Sequence, residues 1–107
     1  EPNPCPTSGV DDAGLAMITT LRVAPNPFTG STTLRLAGPP ATSARILIFD
    51  AAGRLVRTAW EGSLDGREVT VTWDGRDQSG RRLANGVYFI ELKSASERAV
   101  KKTVFLR

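Results

Sequence analysis

Short apolar runs of period two, broken every 8 to 12 residues by glycine, proline or an acidic turn residue, fill the sequence from Leu21 to its end. Thr32-Thr33-Leu34-Arg35-Leu36 puts Leu34 and Leu36 on one face and Thr33 and Arg35 on the other. Glu68-Val69-Thr70-Val71-Thr72-Trp73 turns Val69, Val71 and Trp73 inward. That alternation is what a half-buried strand requires. Leu21 with Val23, and residues 44–49, 55–60, 87–92 and 99–106, complete about seven strands. Between them, Pro25-Asn26-Pro27, Gly38-Pro39-Pro40, Ala51-Ala52-Gly53, Asp65-Gly66, Asp74-Gly75 and Asn85-Gly86 supply the fixed or positive φ of a reversing chain. The spacing predicts an all-β fold: an immunoglobulin-like, fibronectin III-like antiparallel β-sandwich with an extended N-terminal tail.

A chain of 107 residues has room for one core. Residues 21–107 are assigned to the sandwich. Residues 1–20 are assigned to the tail, rich in proline, glycine and acid at its start and too poor in apolar side chains to bury much unaided. A short stretch around residues 11–18 is the sole candidate for a helical period. The chain begins at Glu1 instead of a methionine, which suggests processing or a longer parent protein.

Histidine is absent and cysteine occurs once, at Cys5. This removes Ser-His and Cys-His nucleophile pairs, His/Cys zinc cages and an intramolecular disulfide. Asp74 and Asp77 lie three apart in a glycine-bearing loop that offers oxygens to calcium, but an EF-hand series with its bidentate Glu is missing. Both are read as acceptors of backbone N–H groups in consecutive turns. Asp50, Glu61, Asp65, Glu68 and Glu91 show no pairing suited to acid–base work on a sugar. Glu68 and Glu91 are read as solvent-facing, and Asp50 and Asp65 abut turns. No phosphate loop, glycosylation sequon or membrane-spanning apolar run is present. A non-enzymatic protein with no metal and no cofactor is expected.

The net charge of +3 is gathered at the end of the chain, where residues 93–107 carry five basic side chains against Glu97 alone. The bland reading, the solvated face of a last strand, is preferred to nucleic-acid binding. Two strands are apolar on both faces: Leu47 and Phe49 oppose Ile46 and Ile48, while Val87 and Phe89 oppose Tyr88, Ile90 and Leu92. Such strands are covered twice or leave an adhesive patch. The last strand, with Lys101, Lys102, Val104 and Leu106, is expected to offer an edge to an added strand, its lysines either guarding that edge or marking it for a receptor.

The segments APNPFTGSTTLRL, ILIFDAAGRLVRT, WDGRDQSGRRLANGVYFIEL and RAVKKTVFLR, in this order and spacing, resemble the immunoglobulin-like domain shared by the flagellar hook-capping protein and the C-terminal sorting domains of type IX secretion cargo. The resemblance covers residues 21–107. It aligns Asn26 and Pro27 before the first core strand, Asp50, Gly53 and Arg54 in a turn, Trp73, Asp74 and Gly75 in the indole block, Gly86, Val87 and Tyr88 at a strand start, and Lys101 and Lys102 at the basic end. It implies an exported bacterial protein, extracellular or at the cell surface, whose domain is recognised by secretion machinery and serves export and attachment. A second reading is a structural subunit of an extracellular filament, a homo-polymer in which Val10, Leu15, Met17 and Ile18 of the tail add to a neighbour's sheet. Both readings have protein partners and no nucleic acid.

Overall fold

The computed structural model describes residues 20–95 and 97–107. Their regular structure is all β: β1 (Thr20–Ala24), β2 (Thr32–Ala37), β3 (Thr42–Asp50), β4 (Leu55–Leu64), β5 (Val69–Trp73), β6 (Gly86–Ser94) and β7 (Arg98–Phe105). Every pairing is antiparallel. One sheet runs β1-β2-β5 and the other β4-β3-β6-β7. The seven expected strands are present, and β1 opens one residue before the assigned domain boundary. Residues 1–19, with the tail and the candidate helical stretch, lie outside the described residues.

The inward faces follow the alternation. Leu34 and Leu36 of β2, Ile46 and Ile48 of β3, Tyr88, Ile90 and Leu92 of β6, and Thr103 and Phe105 of β7 are buried between the sheets. Val69 and Val71 are half-buried against this core, and Trp73 is fully buried. At one end the rings of Phe28, Trp73, Tyr88 and Phe105 meet, with centroid separations of 4.9 Å for Phe28 with Phe105 and 5.5 Å for Trp73 with Tyr88. Each such contact adds about 0.5–1.5 kcal/mol to the burial of the rings. Both polar tips are satisfied: the Trp73 indole donates to the Arg76 carbonyl at 3.0 Å, and the Tyr88 hydroxyl to the Ala84 carbonyl at 2.7 Å.

Two turns share one geometry. In Asp50-Ala51-Ala52-Gly53-Arg54, Asp50 Oδ1 accepts the N–H groups of Ala52 and Arg54, and the Gly53 N–H returns to the Asp50 carbonyl. In Asp77-Gln78-Ser79-Gly80-Arg81, Asp77 Oδ1 accepts the N–H groups of Ser79 and Arg81, and the Gly80 N–H returns to the Asp77 carbonyl. Gly53 and Gly80 sit at φ +85° and +92°, the conformation that closes each loop and that a Cβ disfavours. The Arg54 N–H is the main reason the Asp50 carboxyl lies below its ordinary range; for Asp77 it is the Ser79 hydroxyl. The reading of Asp77 as a backbone acceptor therefore holds. Asp74 differs: its carboxylate lies 3.4 Å from Arg76 Nε.

The turns and straps also close sheet edges. Gln78 donates its N–H to the Val56 carbonyl and accepts the Thr58 N–H on its Oε1, so the outer edge of β4 is occupied there. Asn26 does the same for β7, its amide donating to the Lys102 carbonyl and accepting the Val104 N–H, both at 2.9 Å. The Phe28 N–H bonds the Val104 carbonyl, and the Leu106 N–H bonds the Phe28 carbonyl. The open edge expected along the last strand is thus closed over residues 102–106. The reason is local: Asn26 carries the same donor and acceptor as a peptide group and lies alongside the strand.

Candidate functional site

With the inward faces committed to the core, the large apolar side chains left on an outer sheet face are those of the four-stranded sheet. Strand register places its side chains in rows running across the strands. Glu61, Arg45, Lys93 and Arg98 form the first row. Thr58, Leu47, Glu91 and Val100 form the second, and Leu55, Phe49, Phe89 and Lys102 the third. Val87 and Val104 continue beyond them.

The second and third rows make an apolar platform. Leu55 and Val100 are 54% and 45% exposed, and Leu47, Phe49 and Phe89 are half-buried. Phe49, Phe89 and Val100, with Gly53, Glu91 and Arg98, line a shallow concavity of about 370 Å³. Leu47 and Phe49 therefore lie on the outer face, as their alternation implies. Among the described residues, no strand or loop is hydrogen-bonded over this platform.

Glu91 corrects the reading of it as solvent-facing. It is only 8% exposed, because its side chain lies between Leu47 and Val100 in the sheet and the Arg98 guanidinium pairs with its carboxylate from above. A buried carboxylate without a partner costs several kcal/mol, so Arg98 is held over the platform by a charge it must neutralise. Period-two alternation marks Glu91 as outward. Whether the outside is wet depends on neighbours that only the strand register reveals.

The first row puts like charges side by side. Arg45 lies opposite Lys93, and Lys93 opposite Arg98. Directly opposed like charges destabilise a sheet by a few tenths to about 1 kcal/mol. Arg98 is engaged by Glu91, whereas Arg45 and Lys93 have no ion-pair partner among the described residues. Glu61, which stands opposite Arg45 without forming an ion pair, borders these two cations in an open depression with Ser43, Gly62, Ser94 and Ala95.

The remaining candidates are distributed as follows. Lys102 is exposed on the outer face beside Phe89, and its carbonyl is the one Asn26 occupies. Lys101, one residue earlier, projects on the opposite side and is exposed. Val104 is half-buried on the outer face opposite Val87, and Leu106 is 42% exposed beyond the strand. Val10, Leu15, Met17 and Ile18 lie outside the described residues. The structure therefore groups Leu47, Phe49 and Lys102, and adds Leu55, Phe89, Val100, Arg45, Lys93 and Arg98 to them. Among the described residues, no cluster of three or more acidic or thiol ligands is placed to hold a metal. The carboxylate of Asp65 caps its own turn through the Arg67 N–H.

Comparison with known proteins is in keeping with this architecture. Over 83% of its length the chain superposes on dimeric latent PorU from Porphyromonas gingivalis, with a TM-score of 0.67 and 23% identity. Over 81% it superposes on PorZ, a bacterial surface component of the type IX secretion system of the same organism, with a TM-score of 0.53 and 23% identity. It corresponds to only 9% of PorU and 11% of PorZ. A domain of the Pseudomonas fluorescens alkylpurine DNA glycosylase AlkC, at 17% identity, covers 82% of the chain and 29% of AlkC, with a TM-score of 0.50. At these identities the likeness is one of fold, and the fold serves proteins of very different action. No curated protein matches the sequence. The model of the FlgD Ig-like domain matches residues 24–98, from the strap that guards β7 to the arginine over Glu91, and the chain belongs to that family.

Proposed function

We propose that this chain is a non-enzymatic docking module of an exported bacterial protein, acting in export and surface attachment through contacts of the kind made by secretion components. The observation that carries the reading is the outer face of the four-stranded sheet. There Leu47, Phe49, Leu55, Phe89 and Val100 form a platform flanked by Arg98 and Lys102, with nothing from the described chain hydrogen-bonded across it. Covering it contributes about 1 kcal/mol or more for each large side chain removed from water. Membership of the FlgD Ig-like family and the shared fold with PorU and PorZ support the same direction. Three of the five carboxylates weighed for acid–base work are otherwise engaged: Asp50 and Asp65 hold turns, and Glu91 holds Arg98.

The test is delivery of the parent protein to the cell surface with Leu47→Asp and Phe89→Asp introduced together. These positions are on the outer face, so the sandwich core stays intact. Expected is a folded protein that accumulates inside the envelope and is shielded from added protease. Delivery equal to the unaltered protein would overturn the reading. Deleting residues 100–107 is a poorer test, because it removes Thr103 and Phe105 from the core.

A further inference from the structure

We propose that the outer face of the four-stranded sheet receives residues 10–18 of a second copy of this chain, an inference that rests on the reading of this face as a docking surface. Three observations carry it. The first is charge. Among the described residues Arg45 and Lys93 face each other across β3 and β6 with no ion pair to either, Arg98 stands next, and Glu61 opposite Arg45 is the row's one acid against three cations. Further counter-charge is in the sequence itself: residues 10–18 read Val-Asp-Asp-Ala-Gly-Leu-Ala-Met-Ile.

The second is spacing. Arg45 and Phe49 are four residues apart on β3, which is about 13 Å along a strand. Asp11 and Leu15 are separated by the same number of residues. An extended segment laid along the face with Asp11 at Arg45 and Lys93 brings Leu15 to Phe49 and Phe89. The same alternation sets Ala13 beside Glu91, where a small side chain leaves the Arg98 pair undisturbed, and Met17 beside Val87 and Val104.

The third is where the chain enters the sandwich. Thr20 pairs with Ala37, and Ala37 leads through residues 38–41 into the start of β3. Thr20, the first described residue, therefore lies at the end that carries Arg45, Lys93 and Arg98. A segment folding back onto its own face from that end lays Met17 and Ile18 against the cations and carries Asp11 past the apolar rows. The complementary register is reached by a segment supplied from another molecule.

The single cysteine, Cys5, lies six residues before Asp11 and gives a native attachment point for a nitroxide. Spin-labelled, isotopically unenriched full-length chain is mixed with nitrogen-15 chain whose Cys5 is blocked, and amide broadening is mapped. Expected is selective broadening at Arg45, Lys93 and Arg98. It should be lost with Arg45→Glu and Lys93→Glu in the enriched chain, and restored when the labelled chain carries Asp11→Lys and Asp12→Lys. Sedimentation should show self-association about tenfold weaker for either charge reversal alone. Broadening confined to a sample in which label and isotope share one molecule would overturn the proposal, as would broadening indifferent to both reversals or none on this face. A negative mixing result beside failed surface delivery of the Leu47→Asp, Phe89→Asp protein removes this inference and leaves the docking reading standing.

Discussion

The ring of Phe105 lies directly on Gly75: a Cβ added to the glycine would come within 2.5 Å of the ring's Cζ. The backbone there is at φ +76°, a conformation that already disfavours a side chain. Phe105 is fully buried against Phe28 and Trp73 and has no room to withdraw. Gly75→Ala therefore combines backbone strain with overpacking and is expected to cost about 2–5 kcal/mol in denaturant unfolding. Gly80→Ala is the internal comparison. It has φ +92° with nothing within 4 Å of the added methyl, so strain alone acts and about 1–2 kcal/mol is expected. Equal losses at the two positions would mean that the ring contact contributes nothing.

Asn26 substitutes for a strand partner at the edge of β7, and its replacement should be read locally. Asn26→Ala removes the acceptor of the Val104 N–H and of the Thr103 hydroxyl, and the donor to the Lys102 carbonyl. The two backbone groups face outward and gain water in exchange, whereas Thr103 is buried, so a loss of about 1–3 kcal/mol is expected. The more specific readout is hydrogen exchange. The Val104 amide should exchange faster in the variant by at least the factor that the global destabilisation predicts, whereas the Ile48 and Ile90 amides follow the global change alone.

How much of this was legible in the sequence differs by element. β2 and β5 announce themselves through Leu34, Leu36, Val69, Val71 and Trp73, because one wet face and one dry face leave a clean period of two. The double-sided β3 and β6 were equally visible in Leu47, Phe49 and Phe89, so the platform itself could be anticipated. β4 runs four residues beyond its expected end, and its register slips twice, at Ala59 opposite the step from Ile46 to Leu47 and at Val56 opposite the step from Ile48 to Phe49. A bulge adds a residue without changing local composition, so no alternation pattern discloses it. The cation row and the burial of Glu91 depend on which residues of β3, β6 and β7 stand opposite one another, a property of pairing and of no single segment. The Asp77 turn is different: Asp-x-x-Gly-Arg occurs twice, and the repeat was available to a reading that compared residues 50–54 with 77–81.

Acid stability should follow those two turns. The Asp50 carboxyl is held below its ordinary range first by the Arg54 N–H, and Asp77 first by the Ser79 hydroxyl and then the Arg81 N–H. A group whose folded value is depressed contributes stability above its unfolded value, about 3.9, and loses it as pH falls through the lower folded value. The unfolding midpoint is therefore expected to fall as pH is lowered from about 5 toward 2. In the Asp50→Asn, Asp77→Asn protein the same titration should be flatter, with a lower midpoint at neutral pH. An unchanged slope would show that other carboxylates govern acid unfolding.

Tyr88 offers the opposite limb of the pH profile. Its hydroxyl donates to the Ala84 carbonyl in the loop before β6, and burial, reinforced by the nearby Asp50 carboxylate, pushes its pKa above the ordinary value. Ionisation would put a negative charge in the aromatic cluster and remove the proton that makes the bond. With a folded value raised above the unfolded one near 10, the contribution is fully present below that pH and is lost as pH rises through the folded value. Tyr88 is the chain's one tyrosine, so the tyrosinate absorbance of the full chain reports it alone. The expected curve is displaced above pH 10 and coincides at its upper end with loss of near-ultraviolet circular dichroism from the buried Trp73. Tyr88→Phe keeps the ring packing and gives up the bond, so it should lower stability at neutral pH by about 1 kcal/mol while removing this alkaline transition. A tyrosine that titrates at its ordinary value with the aromatic dichroism intact would show that the hydroxyl is open to solvent and the loop before β6 is not fastened by it.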